Sequence, residues 1–122
     1  MSDFSKIVEN YLAVWNEGDA EARAKLVSEV FAAEVTYTDP LAEVAGHEGV
    51  NALVGGARDQ FPGMVFSSGG PVDSNHDIAR FTWHLGPADA PEPLVIGFDV
   101  IRVDAAGKIV TVFGFLDRVP QG

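Results

Sequence analysis

The apolar residues of this chain change their spacing part-way along it, and that change restricts the fold more than any other feature. Between Asp3 and Asn16, Phe4, Ile7, Val8, Tyr11, Leu12 and Trp15 recur at helical spacing and form one apolar stripe. From Met64 onward the pattern becomes that of strands: Met64 to Ser68 with a resumption near Val72, His76 to Leu85, Leu94 to Val103, and Lys108 to Val119. Helices first and a meander of strands second give an α+β domain, with its helices packed on one concave face of an antiparallel sheet. Strands this long imply a strongly bent sheet, and Gly97 and Gly114 are the expected bend points.

Local signals divide the chain further. Gly18 is expected to end the first helix in the left-handed conformation, and Asp19 to cap a second over Ala20 to Val30. Val35 to Thr38 alternates as a short strand, and Asp39-Pro40 stops it. A third helix is expected over Glu48 to Gln60, weakened by Gly55 and Gly56 and ended by Phe61-Pro62-Gly63. Gly86 to Pro93 holds three prolines and is expected to be a loop, and Asp104 to Gly107 a hairpin turn.

Composition narrows the function. The 122 residues suit one domain spanning 1–122. With no cysteine, disulfides and thiolate metal sites are impossible. A net charge of -10, from 18 acidic and 8 basic residues, repels phosphate backbones and anionic lipid, so no nucleic-acid or membrane partner is expected. The start, MSDFSKIVEN, lacks the pattern of a secretory signal, and no apolar run approaches a membrane span of roughly 18 residues, so a cytoplasmic location is expected.

Three residues stand out chemically. Asp99 lies within Leu94 to Val103, and alternation puts Val95, Gly97, Ile101 and Val103 on its face. An ionised carboxylate there needs partners, or it takes up a proton. The alternatives are an aspartate facing water at a sheet edge, or one paired with Arg80. Asp39 reads either as an Asx turn before proline or as a general base at a pocket mouth. Tyr11 is either a core tyrosine with a satisfied hydroxyl or a phenol donating to a substrate oxygen.

Arg80, Thr82 and His84 share one face of their strand; Phe81, Trp83 and Leu85 share the other, and either triplet can line a cavity. Our expectation places Arg80, Thr82 and His84 with Trp15, Val112 and Leu116 around the ligand, and Asp117 away from it. His47, His76 and His84 show no ligand spacing, so no metal is expected. The sequence has neither a phosphate-cradling glycine motif nor a nucleophile elbow.

At these residues the chain resembles the nuclear-transport-factor-2-like superfamily, in particular its ketosteroid isomerase and SnoaL-like polyketide cyclase branches. The resemblance rests on Tyr11 to Asp19, on Val35 to Pro40, on Gly46-His-Glu-Gly-Val50 and on Phe98 to Val110, all collinear. It implies a cone: three helices packed on a strongly curved antiparallel sheet around a deep apolar pocket, usually as a homodimer. It implies further that Asp39 moves a proton while Tyr11 and a protonated Asp99 stabilise an oxyanion.

The implied activity is cofactor-independent proton transfer on a small, largely apolar carbonyl compound, as isomerase, cyclase or dehydratase. The alternatives are a non-catalytic ligand-binding or dimerisation module on the same fold, and a protein-docking role. Arg80 and His84 in the cavity would depart from the isomerases: they would suit a more oxygenated substrate, or pair with Asp99 and keep it ionised.

Overall fold

Aspartates begin the first two helices in the computed structural model, which describes residues 3–89 and 92–119. Asp3 accepts from the Lys6 N–H and caps α1 (Phe4–Asn16); Asp19 accepts from the Ala22 N–H and caps α2 (Ala20–Val30). The end of α1 departs from expectation. Glu17 is extended and returns its N–H to the Val14 carbonyl, and Gly18 does not have positive φ. Glu17 Oε2 accepts the Asp19 N–H, so a carboxylate turns the chain where a left-handed glycine was expected.

The first strand, β1 (Phe31–Thr38), follows α2 at once and starts earlier than Val35, because Phe31 and Ala32 are already buried. A short β2 (Glu43–Ala45), not foreseen, pairs back on β1. It leads into α3 (Gly46–Gln60), which opens at a glycine of φ +76. Within α3, Gly55 leaves room for the buried Arg23 guanidinium of α2, which donates to Asn51 Oδ1 and the Glu17 carbonyl. Packing between the two helices thus overrides the weak helix propensity of glycine.

The remaining strands are β3 (Met64–Ser68), β4 (Asp73–Asn75), β5 (Ile78–Pro87), β6 (Val95–Val103) and β7 (Ile109–Arg118). β5 starts at Ile78 because His76 sits in a turn at φ 48. It runs on to Pro87 because β3 pairs along it as far as Met64↔Pro87; part of the expected loop is therefore strand, and residues 90 and 91 lie outside the described residues. The Asp104–Gly107 turn forms as expected, with Asp104 Oδ1 accepting from Ala106 and Lys108 and Gly107 at φ +83.

Among the described residues, three helices thus cover one curved, mixed, seven-stranded sheet of order β2-β1-β7-β6-β5-β3, with β4 beside β5. β1 runs parallel to β7; the other pairs are antiparallel. The helix-facing side follows from the register: Ala79 opposes Ile101, Phe81 opposes Asp99, Trp83 opposes Gly97 and Leu85 opposes Val95. Most of these side chains join the core with Val8, Tyr11, Trp15, Phe31 and Val54. The other face carries Phe98 stacked on Phe115 at 4.9 Å, with Phe113 and Phe115 about half exposed. Among the described residues no helix is long and apolar enough to cross a membrane.

Candidate active site

Helical spacing turns Tyr11 inward from α1, and strand alternation turns Asp99 inward from β6. The two meet: Tyr11 Oη donates to Asp99 Oδ2 at 2.6 Å, with both residues at most 3% exposed. Tyr11 is braced by the rings of Phe31 and Phe81 in edge-on contacts. Burial, followed by the Asp99 charge, holds the Tyr11 hydroxyl well above its ordinary range, so it stays a neutral donor. Burial pushes Asp99 up to about 6, against the hydrogen bonds from Tyr11 and Trp83, while the charge of Asp39 adds to the rise.

The second donor to Asp99 is Trp83, whose Nε1–H reaches Oδ1 at 3.1 Å. Gly97 makes this possible, because any Cβ there would overlap the indole ring. The pairing also shifts between Ile96 and Gly97, in line with the expected bend. Gly114 serves a different purpose, close approach. A Cβ on it would lie 2.8 Å from Asp99 Oδ1 and 3.1 Å from Asp39 Cβ, so the missing side chain leaves room for the Asp99 carboxylate beside the Asp39 Cβ. Gly114→Ala should therefore destabilise the fold by about 1–3 kcal/mol in urea denaturation. An unchanged midpoint would mean that the two aspartate side chains yield freely.

Asp39 closes the other side. Its Oδ1 accepts the Leu41 and Ala42 N–H groups, each at 2.8 Å, so the Asx turn is real. Its Oδ2 accepts from Tyr37 Oη at 2.6 Å, which leaves one lone pair free on that oxygen. Burial, then the Asp99 charge, raises the Tyr37 hydroxyl far above its ordinary range, so it too stays neutral.

Tyr11, Asp39 and Asp99 all line one cavity of about 840 Å³. Trp15, Tyr37, Phe66 and Trp83 give it an aromatic wall, and Leu41, Leu53, Phe61 and Leu116 extend the apolar lining. No lysine, arginine or histidine lines it among the described residues. Among those residues, too, no three histidine, aspartate or glutamate side chains gather in a metal-binding group.

Of the nine residues expected at the site, Tyr11, Trp15, Asp39, Asp99 and Leu116 line this cavity and four do not. Arg80 points to the outer face, where its Nε pairs with Asp73 at 3.1 Å. Thr82 and His84 share that outer face and pack around Gly69. Phe81, Trp83 and Leu85 take the inner face because burying two aromatic rings and a leucine against the helices removes far more apolar surface from water than the polar triplet could. Arg80 is thus excluded as the partner of Asp99. Val112 is fully buried but sits in the core. Asp117 is exposed and lies outside the cavity lining. His47 is structural: its Nε2–H donates to the Phe31 carbonyl at 2.8 Å and ties α3 to β1.

Tyr37, Trp83 and Gln60 are the polar groups of the cavity that lie outside the expected set, Trp83 belonging to the triplet given there as the alternative. Tyr37 shares the strand face of Asp39 two residues on, a usable sign; the indole of Trp83 could be found only from the pairing of β5 with β6.

The profile of the SnoaL-like domain matches residues 8–112. This chain belongs to the SnoaL-like family. A candidate isomerase of the SnoaL-like family from Agrobacterium tumefaciens superposes on this SnoaL-like chain with a TM-score of 0.86 at 38% identity, covering 92% of this chain and 95% of that one. A candidate polyketide cyclase from Sinorhizobium meliloti shares the fold at 17% identity and a TM-score of 0.70, over 89% and 93% of the two chains. An NTF2-like protein of unknown function from an Exiguobacterium does so at 22% and 0.72, over 91% and 98%. No curated protein matches this chain.

Proposed function

We propose that this SnoaL-like protein transfers a proton on a small, largely apolar carbonyl compound without a cofactor. The observation that carries the reading is the buried 2.6 Å bond between Tyr11 and Asp99 in a cavity that Asp39 also lines. Asp39 takes a proton from the carbon next to the carbonyl, through the free lone pair of Oδ2. The C–H electrons move into a C–C double bond and negative charge builds on oxygen. Tyr11 and the acid form of Asp99 donate to that oxygen, in a place where little has to reorganise. Asp39 then returns the proton to the far carbon where the enolate is conjugated with a double bond, or the enolate carbon attacks a second carbonyl, closing a ring and leaving an alkoxide that takes the proton back from Asp39.

Asp99 need not be protonated in the empty cavity. At about 6 it lies about one unit below neutrality, so a ligand that displaces water has to supply only a small free energy to protonate it. A second reading, binding without reaction, is favoured by the three hydrogen bonds that Asp39 already accepts, which satisfy a purely structural turn.

The donor role is tested with 2-naphthol, whose oxygen imitates an enolate oxygen. Calorimetry should show Tyr11→Phe weakening its binding by roughly tenfold or more, the loss of one strong hydrogen bond. The same ring bearing a carboxylate, 6-hydroxy-2-naphthoate, should bind at least about tenfold more weakly than 2-naphthol, because no cation lines the cavity to offset the desolvation of its charge. Equal binding of 2-naphthol by wild type and Tyr11→Phe would remove the donor.

A further inference from the structure

We propose that Trp83 is a positioning residue that confines the acid proton of Asp99 to Oδ2, the oxygen beside Tyr11. The two carboxyl oxygens are not equivalent. Oδ2 meets the Tyr11 hydroxyl at 2.6 Å and Oδ1 meets the Trp83 indole N–H at 3.1 Å. An indole N–H can only donate, whereas a phenol can donate or accept. A proton on Oδ1 would face the indole hydrogen, donor against donor. A proton on Oδ2 meets an oxygen able to accept it.

Protonation therefore reverses one bond and leaves the other intact. Trp83 keeps donating to Oδ1. The new O–H at Oδ2 and the hydroxyl of Tyr11 then lie side by side, and both can turn to a single ligand oxygen. Without the indole, the acid proton could occupy either oxygen, and only one of the two places it next to Tyr11.

The fold reserves the space for this contact. Trp83 opposes Gly97 across β5 and β6, and the ring lies over the bare glycine with its N–H extended to Asp99, two residues along. The titratable groups that face Asp99 are Tyr11 on α1, Tyr37 on β1 and Asp39 at the end of β1. Both tyrosines stay neutral, so Asp39 is the one charge among them, and it favours the acid form. Trp83 favours the carboxylate, and so acts against Asp39 on the same group.

The usefulness of the arrangement rests on the proton-transfer reading, but its test does not. The carboxyl ¹³C resonance of Asp99 is followed against pH in the full chain. Wild type is compared with Trp83→Phe and with a chain in which Trp83 is replaced by β-(3-benzothienyl)alanine, which keeps the ring shape and lacks the N–H. Both replacements should raise the proton affinity of Asp99 by about tenfold, because a donor to the carboxylate has gone. The Trp83 Nε1–H resonance of wild type should move with the same midpoint. Should Trp83→Phe fail to fold, the benzothienyl chain still decides. An unchanged Asp99 midpoint in that chain, or an indole resonance that ignores the titration, overturns the proposal. Either failure would leave Asp39 as the base, since no substrate is present in the experiment.

Discussion

Asp39→Asn should slow deuterium uptake at the carbon next to the carbonyl of a bound cyclic ketone by about 10²–10⁴-fold, the usual contribution of a positioned base. The substitution removes basicity and little else. The asparagine carbonyl can still accept the Leu41 and Ala42 N–H groups, and its amide can donate to the Tyr37 oxygen once that hydroxyl turns. The turn before Pro40 should therefore persist, and thermal unfolding should stay close to wild type. Uptake is read by proton NMR as the loss of the exchanging signal. Equal rates in the two proteins would remove Asp39 as the base and leave the cavity as a binding site.

Asp99→Asn should make the protein more stable at neutral pH. Asp99 titrates near 6 in the fold and near 3.8 in the open chain, so between those values the native state holds more protons than the unfolded state. Stability is then highest below about pH 4, falls as pH rises towards 6, and stays lower above it. The shift corresponds to roughly 3 kcal/mol once Asp99 is fully ionised in both states. This is the reverse of the usual paired carboxylate, because burial outweighs the two hydrogen bonds. Asparagine imitates the acid form: its carbonyl accepts from Trp83 and its amide donates to the Tyr11 oxygen. Urea titrations of both proteins at about pH 4 and about pH 7.5 isolate the effect, since all other groups cancel in the difference. The advantage of Asp99→Asn should be small in acid and reach roughly 2–3 kcal/mol at the higher pH. A difference that does not change with pH would mean that Asp99 is not held protonated by its surroundings.

Both expectations use residues that the sequence singles out one by one. Asp99 was conspicuous because a carboxylate stood among apolar strand neighbours, and Tyr11 because it lay on the apolar stripe of the first helix. Their direct bond was not legible, since 88 residues separate them and only the packing of α1 against the sheet closes that gap. Asp39 was ambiguous between turn and base, and its geometry satisfies the turn while leaving a lone pair for the base.

Strand β5 is the instructive error. Alternation separates Arg80, Thr82 and His84 from Phe81, Trp83 and Leu85 with certainty, but it does not say which set faces inward. Polar side chains drew the expectation towards a functional face. The outcome was set by burial summed over β6, α1 and the neighbouring aromatic rings, none of which is encoded within the strand. β2 was overlooked for a related reason: three residues with one half-buried side chain carry no periodic signal, and only pairing with β1 makes them a strand.

Local chemistry along the chain was enough to place the helices, the long strands, the Asp104 turn and the switch from one period to the other, because caps, turns and periodicity act over a few residues. The partners of each buried polar group, the inner face of β5 and the gap at Gly114 were settled only when distant segments packed. A hydrogen bond across 88 residues depends on where two surfaces meet in space, and nothing near either residue specifies that.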